Sequence, residues 1–347
     1  MLHSRAALLA ALTAALACST PAYSWFAEGH RTVGAIADII LEGHAVTRTE
    51  VKILLDNGTL ADASTLPDCA KGDCDRVLTA SEQESVNKYL SQKKNKKHFE
   101  FHYTDVPVVP DQSAPQYEAE TAGTEDHDVV QIIRYAIKVL QSKSNKPISG
   151  PARFDKRQAL WVIAHLVGDI HQPLHVGAVY LNKKCDTIVD PNKVGSGEDF
   201  GIGEDIAGTI GGNDILLATG GNMHELWDGT AVSEAMQKAQ KSTIQDYAKV
   251  LVQSPPTGWE TKDDLDSWAE QWADEILPLS QKALTDKNLI TITKGKPATH
   301  GKKFKCENLV ATLAPNYNAW AAEEAQKQLA KAGFRLAALL RAIFENK

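Results

Sequence analysis

Several absences narrow the possibilities before any motif is considered. Runs that alternate strictly between apolar and polar residues are scarce, which argues against a sandwich or barrel built from many strands. Nothing recurs at a fixed period, so a solenoid or propeller is excluded, and no long linker divides the chain into two units. A cationic excess is missing as well: 37 Lys and Arg face 44 Asp and Glu, for a formal net charge of -7. Such a balance excludes a wide basic surface for duplex nucleic acid, although a metal-lined cleft would still attract an anionic substrate. The apolar run at residues 6–17 is too short to cross a bilayer. Cysteine is sparse, at five residues.

That short run has a use of its own. Arg5 precedes it and the small residues Ala22 and Ser24 follow, the layout of a secretory signal peptide cleaved after Ser24. Residues 1–24 are thus expected to be a leader and 25–347 the mature domain, secreted or periplasmic and without a membrane anchor. A lipoprotein reading of Cys18 is the rival, weakened by Ala15 where a larger aliphatic is usual. The mature chain keeps Cys69, Cys74, Cys185 and Cys306, an even count in an oxidising compartment, which suggests two disulfides. Three pairings are open. Cys69 with Cys74 makes the shortest loop and leaves Cys185 with Cys306, whereas a cysteine metal site needs tighter clustering.

What remains reads as helix. Val129, Val130, Ile132, Ile133, Ala136, Ile137 and Leu140 form one apolar stripe, and Leu329, Leu336, Leu340 and Ile343 another. Further helices are expected over residues 29–42, 155–171, 223–228, 232–253 and 261–286. Residues 106–115 and 142–151 read as loops, and 181–210 as a long surface excursion. Its Asp186, Asp190, Asp199, Glu204 and Asp205 suit a solvated loop better than a calcium site. The run KKNKK at 93–97 is most simply a solvated face. The expected fold class is mainly α, in a single helical domain.

Against this apolar background, the stretch HLVGDIHQPLHVG at 165–177 carries three histidines and an aspartate. Buried imidazoles and carboxylates need partners. On one helix His165 and Asp169 fall at i and i+4, on the same face, and Pro173 ends the helix before His175. In NMHELWDG, His224 and Asp228 repeat that spacing, with Gly229 placed as a stop. His and Asp are the expected zinc ligands in a secreted chain whose thiols are committed to disulfides. His30, Asp62 and His102 are further candidates, and Asp68 is a rival to Asp62.

In chain order, WFAEGH, LAD, FHYTD, HLVGDIHQPLHVG, GGN and NMHELWD span residues 25–228, and AGFRLAALL follows near the end. Together they resemble the zinc-dependent single-strand nucleases and 3'-nucleotidases of fungi, plants and bacteria, distant relatives of the bacterial zinc phospholipases C. The resemblance implies a helical fold of the zinc phospholipase C and single-strand nuclease type, with three zinc ions per chain. Asp62, His102, His165 and Asp169 would hold one zinc, and His175, His224 and Asp228 a second. The amine and carbonyl of Trp25, with His30 and a shared oxygen of Asp169, would hold the third. Asp62 and Asp169 belong to the implied catalytic set, and His171 inherits no ligand role.

The same resemblance implies cleavage of single-stranded DNA and RNA at the P–O3' bond, with release of phosphate from 3'-nucleotides, by a monomer without a stable protein partner. Tyr103 would stack on a base, Asp105 would meet its edge, and Asn213 would help position the site. Stacking needs an unstacked base, hence a preference for single strands. Two departures stand out. Leu60 replaces the usual tryptophan, and Thr65 stands three residues after Asp62, where many members carry a basic residue that helps to hold phosphate. The alternatives are a zinc phospholipase C, which usually offers Glu at the position of Asp228, and a noncatalytic zinc-binding protein.

Overall fold

The computed structural model describes residues 25–109, 117, 121–143, 148–193, 206–300 and 303–345. The expected leader, residues 110–115 and 144–147 of the two loops, and Asp199, Glu204 and Asp205 lie outside the described residues. The helices are α1 (Ala27–Leu41), α2 (Ala45–Leu54), α3 (Leu60–Ala63), α4 (Leu66–Lys71), α5 (Ala80–Leu90), α6 (Val129–Gln141), α7 (Lys156–Asp169), α8 (Met223–Glu225), α9 (Ala231–Lys238), α10 (Ile244–Val252), α11 (Leu265–Thr285) and α12 (Tyr317–Glu345). Between α5 and α6 runs a 3-10 helix, Lys93–His102. The mainly helical class is as expected.

The apolar stripe of α6 is buried along its whole length, and the Asp128 carboxylate caps the helix by accepting from Gln131 N at 3.1 Å. Helix α7 is buried from Gln158 to Asp169 on every face. An all-apolar surface is what such a helix needs, so Gln158, His165 and Asp169 are its exceptions and must be met by other elements. Asp155 and Gln158 close a reciprocal capping box at its start. Helix α12 packs along α1, α7 and α9, with Leu329, Leu336, Leu340 and Ile343 all buried. Helices α1, α7 and α12 are the middle of the core.

The strands are short: β1 (Val106–Pro107), β2 (Gly177–Ala178), β3 (Tyr180–Leu181), β4 (Ala207–Gly208), β5 (Ile215–Leu217), β6 (Ile290–Ile292), β7 (Lys296–His300), β8 (Lys303–Glu307) and β9 (Leu309–Leu313). β1 pairs in parallel with β2, joining the segment after His102 to the segment after His175. β9 is the centre of a three-stranded sheet, parallel to β5 and antiparallel to β6.

Two helix boundaries differ from expectation for local reasons. The run 232–253 is broken, because Gln240 adopts φ 54° and Thr243 opens α10 as a new N-cap. Gly229 is not a stop: the chain passes from α8 through a π-helical turn, Leu226–Thr230, into α9. A Cβ at Gly229 would sit 2.3 Å from the Phe26 ring, so glycine permits a close approach to the start of the domain.

Disulfides join Cys69 to Cys74 and Cys185 to Cys306, the pairing favoured by loop length, with sequence separations of 5 and 121 residues. Cross-linking restricts the unfolded chain more as the loop lengthens, so removal of Cys185–Cys306 is expected to cost about 3 kcal/mol more than removal of Cys69–Cys74. Denaturant unfolding of the two Cys→Ser pairs measures this difference. Equal losses would refute the assignment of the longer bridge as the dominant restraint.

Candidate metal centre

Six elements bring their polar groups to one buried place. His30 comes from α1, His102 from the end of the 3-10 helix, His165 and Asp169 from α7, and His175 from the turn Pro173–His175. His224 lies on α8 and Asp228 on the π-helical turn that follows it. All seven are buried.

Asp169 is the junction. One of its oxygens, Oδ2, lies 2.9 Å from His102 Nδ1 and 3.1 Å from His165 Nε2. The other, Oδ1, faces His30 Nε2 at 3.3 Å and accepts no hydrogen bond. His30 and His165 stack with their ring centres 3.7 Å apart. A second group joins His175, His224 and Asp228, whose ligand atoms lie within 4.8 Å of one another. Gln172, between the two groups in sequence, donates to Asp228 Oδ1 at 2.7 Å and leaves Asp228 Oδ2 buried without a hydrogen bond.

Backbone carbonyls set the histidine tautomers. His175 Nδ1 donates to His102 O at 2.7 Å and His224 Nδ1 donates to Gly211 O at 2.8 Å, since a carbonyl only accepts. The Nε2 atoms of these two rings then face each other as lone pairs at 3.1 Å. Two lone pairs at that distance repel, and a cation bound by both removes the conflict. His165 Nδ1 likewise donates to Ser64 O at 2.6 Å, which aims its Nε2 at Asp169. Gly211 makes its contact possible with φ 52°, and a Cβ there would lie 2.0 Å from Leu174 O.

Four of the five imidazoles are favoured neutral beside an ionised carboxylate, whereas burial is outweighed at His165, which Asp169 and Asp68 raise. Burial and the neighbouring His165 push His30 down to about 4, and burial with His175 pushes His224 down to about 3. Burial also lowers His102 and His175. Asp169 is held well below the carboxylate range: burial opposes ionisation, but His165, His175 and the hydrogen bonds from His102 and His165 outweigh it. Asp228 moves the other way, raised by burial against the Gln172 bond. A divalent metal requires neutral imidazoles and ionised carboxylates, so binding one here would release the protons that the raised His165 and Asp228 hold.

Trp25 is fully buried beside this centre. Its indole N–H donates to Gly168 O at 2.8 Å, and the next residue's amide, Phe26 N, donates to Asp228 O at 3.0 Å. The start of the domain therefore leans on both ligand-bearing segments.

Asp62 is not part of the cluster, and here the expectation is corrected. Helix α3 is a single turn, and Thr59, Arg31 and Arg76 hold the Asp62 carboxylate on its outer side, at 2.9, 3.3 and 3.8 Å. Six residues on, α4 turns Asp68 inward, where Oδ1 stands 3.7 Å from His165 Nε2 in a group with His102. Burial opposes its charge, but Lys71, His165, His30 and His102 hold it below the usual range. Lys71 Nζ is 2.7 Å from Asp68 Oδ1 and nearly buried. A cleft of about 720 Å³ opens beside Asp68, with Phe26, Glu28, Thr65, Asp73 and Asn222 in its walls.

Of the expected base-binding residues, Tyr103 is half-buried and directly follows His102. Burial first, then Asp105, Glu100 and Glu125, raises its phenol, which stays neutral. Asp105 receives a hydrogen bond from the Gly211 backbone, and burial raises it to about 7. Asn213 donates to Ile210 O at 2.8 Å, while its Oδ1 is buried without a hydrogen bond. His171 lies apart, bonded to Val167 O at 2.7 Å and Arg335 Nη1 at 2.9 Å. Three contributors were missed in the sequence. Lys71 lay in no motif, Gln172 lay within 165–177 among stronger candidates, and His98 reveals itself only by bridging Tyr89 Oη and Pro67 O, each at 2.8 Å, which ties α5 to α4 beside His102.

A helical architecture around buried, convergent His and Asp side chains able to hold a metal fits the class of metal-dependent enzymes. The S1/P1 Nuclease family model matches residues 25–345, and the chain belongs to that family. It is a hydrolase acting on phosphodiester bonds. Endonuclease 5 and Endonuclease 4 of Arabidopsis thaliana are 23% and 24% identical to it, each over 94% of this chain and 92% and 91% of their own lengths. Nuclease S1 of Aspergillus oryzae is 26% identical over 76% of this chain and 73% of its own. No described helix is long and apolar enough to cross a membrane.

The geometry separates the two candidate aspartates experimentally. Asp68→Asn is expected to lower the metal retained after dialysis, whereas Asp62→Asn is expected to retain it and to cost at most about 1 kcal/mol, as for other exposed ion pairs. Metal analysis and thermal melts of both variants decide, and metal loss confined to Asp62→Asn would reverse the assignment.

Proposed function

We propose that the protein is a secreted zinc enzyme that hydrolyses single-stranded DNA and RNA at the P–O3' bond, leaving 5'-phosphorylated products, and that also acts on 3'-nucleotides. The observation that carries this reading is the juxtaposition of His30, His102, His165 and Asp169 with His175, His224 and Asp228 in one buried centre. The donor set fits zinc: imidazole nitrogens and carboxylate oxygens, two of those oxygens without hydrogen bonds, and paired lone pairs on His175 and His224.

In this reading three zinc ions are held. Asp68, His102, His165 and Asp169 hold one; His175, His224 and Asp228 hold the second; His30, Asp169 and the free amine and carbonyl of Trp25 hold the third. Bound zinc supplies a water-derived nucleophile near neutral pH and draws charge from phosphoryl oxygens.

The chain's own residues bind and orient. Gln172 fixes Asp228, and the carbonyls of Ser64, His102 and Gly211 fix three imidazoles. With Asp68 as ligand, the position three residues on is Lys71, so its ammonium takes the phosphate-holding role for which Thr65 is unsuited. Thr65 Oγ1 is instead spent on Asp62 O at 3.0 Å. Tyr103 offers a ring face to an unstacked base, and Asp105 and Asn213 offer polar atoms to its edge.

Two experiments test this reading. Mature protein beginning at Trp25 is expected to carry close to three zinc ions, and a chain beginning Met-Trp25 with the methionine retained should fold but lose most activity. Full activity with a residue ahead of Trp25 removes the amine ligand from the scheme. Separately, Tyr103→Ala is expected to weaken single-strand binding by about 1–3 kcal/mol, and Tyr103→Phe by much less. Neither change should alter hydrolysis of bis(p-nitrophenyl) phosphate, which has no base. A joint loss of stability, zinc and all activities would make Tyr103 a core residue.

A further inference from the structure

The densest run of positive charge in this acidic chain sits on the element that ends at a candidate metal ligand. In a 3-10 helix, side chains three apart eclipse one another, so Lys93–His102 presents three rows. Asn95, His98 and Phe101 form the buried row. Asn95 donates to Tyr89 O at 3.0 Å and to Arg153 O at 2.8 Å, and His98 bridges Tyr89 and Pro67, so this row anchors the helix against α5 and α4. Lys94, Lys97 and Glu100 form a second row, engaged with Gly150 O, His127 and one another.

The remaining row reads Lys93, Lys96, Phe99, His102. Lys93 and Lys96 are exposed and make no ion pair or hydrogen bond among the described residues. Phe99 is 58% exposed, among the most exposed large apolar side chains described. His102, the last of the row, turns inward to lie 3.5 Å from His98 of the anchoring row, so the exposed part ends at Phe99, four residues before Tyr103. At about 2 Å per residue, the row is roughly 18 Å long. Two unpaired cations followed by an exposed ring make a backbone-neutralising and base-stacking strip, the combination that single-stranded nucleic acid uses. Burying neither the lysines nor Phe99 contributes to the core, so folding does not account for them.

We infer that the Lys93, Lys96 and Phe99 row is a binding strip for the single strand beyond the nucleotides at the metal centre. The inference rests on the nuclease reading above. The strip guides a polyanion along a rigid helix toward His102 in a molecule whose net charge otherwise repels it. Its contribution therefore grows with strand length and falls with salt.

The test compares the parent with Lys93→Gln/Lys96→Gln, with Phe99→Ala, and with Lys262→Gln/Lys287→Gln as a charge-matched control at exposed lysines in the segments flanking α11. KM is measured on oligo(dT) of increasing length, on a dinucleotide and on bis(p-nitrophenyl) phosphate, across a salt series. The double change is expected to raise KM for long strands several-fold and to reduce the slope of log KM against log salt by about 1.4, or 0.7 for each lost phosphate contact. Phe99→Ala is expected to raise it about fivefold or more. The dinucleotide, the small diester, zinc content and melting temperature should not change, and the control should match the parent. Unchanged KM and slope on long strands, or equal effects from the control, overturn the strip while leaving the nuclease reading intact. A parent that hydrolyses the small diester but no oligonucleotide overturns both. Binding of the row to anionic vesicles with no effect on oligonucleotides assigns it to a lipid surface instead and overturns the inference.

Discussion

The structure turns on the Asp169 carboxylate. It is fully buried, yet it stays ionised because three histidines from three different elements surround its two oxygens. Removing a carboxylate from water without such compensation would cost several kcal/mol, far more than one helix contributes. Positioning α1, the 3-10 helix and α7 is therefore one problem rather than three. The capping box at Asp155, the Trp25 bond to Gly168 and the His98 bridge are all parts of its solution.

A second constraint follows from the histidines themselves. Each of His165, His175 and His224 gives Nδ1 to a backbone carbonyl and turns Nε2 inward. The carbonyls belong to Ser64, His102 and Gly211, each outside the element that carries the ring it meets, so the packing of neighbouring segments selects the tautomer. Gly211 illustrates the dependence. Its carbonyl orients His224 while its amide reaches Asp105, which couples the metal centre to the residues beside Tyr103.

The same economy appears at the surface of the site. Arg31 and Arg76 are spent on Asp62, Asp75 and Glu82. Near the centre, Lys71, held at Asp68, is the cation to which the proposed phosphate-holding role falls. An acidic enzyme acting on a polyanion thus concentrates its attraction in the buried centre and in the exposed lysines of one 3-10 helix.

Much of this was legible in the residues alone. Helical periodicity marked α6 and α12, and i, i+4 spacing placed His165 with Asp169 and His224 with Asp228, because contacts within a helix depend only on local geometry. Loop length favoured the disulfide pairing that is found. Other features had no local signature. Leu60-Ala61-Asp62 and Leu66-Pro67-Asp68 present the same Leu-x-Asp pattern six residues apart. One aspartate faces two arginines at the surface and the other faces His165, a choice made by how α3 and α4 pack against α1 and α7. Gly229 looked like a helix stop but accommodates Phe26, and KKNKK looked like plain solvated charge until a 3-10 rather than an α-helical period aligned Lys93 and Lys96 with Phe99 and His102. The sequence by itself determined which residues are chemically able to bind metal and which helices carry them, since both follow from residue type and local spacing. Only the tertiary structure decided which aspartate enters the centre and which face of each ring is free, because those depend on partners brought together from distant parts of the chain.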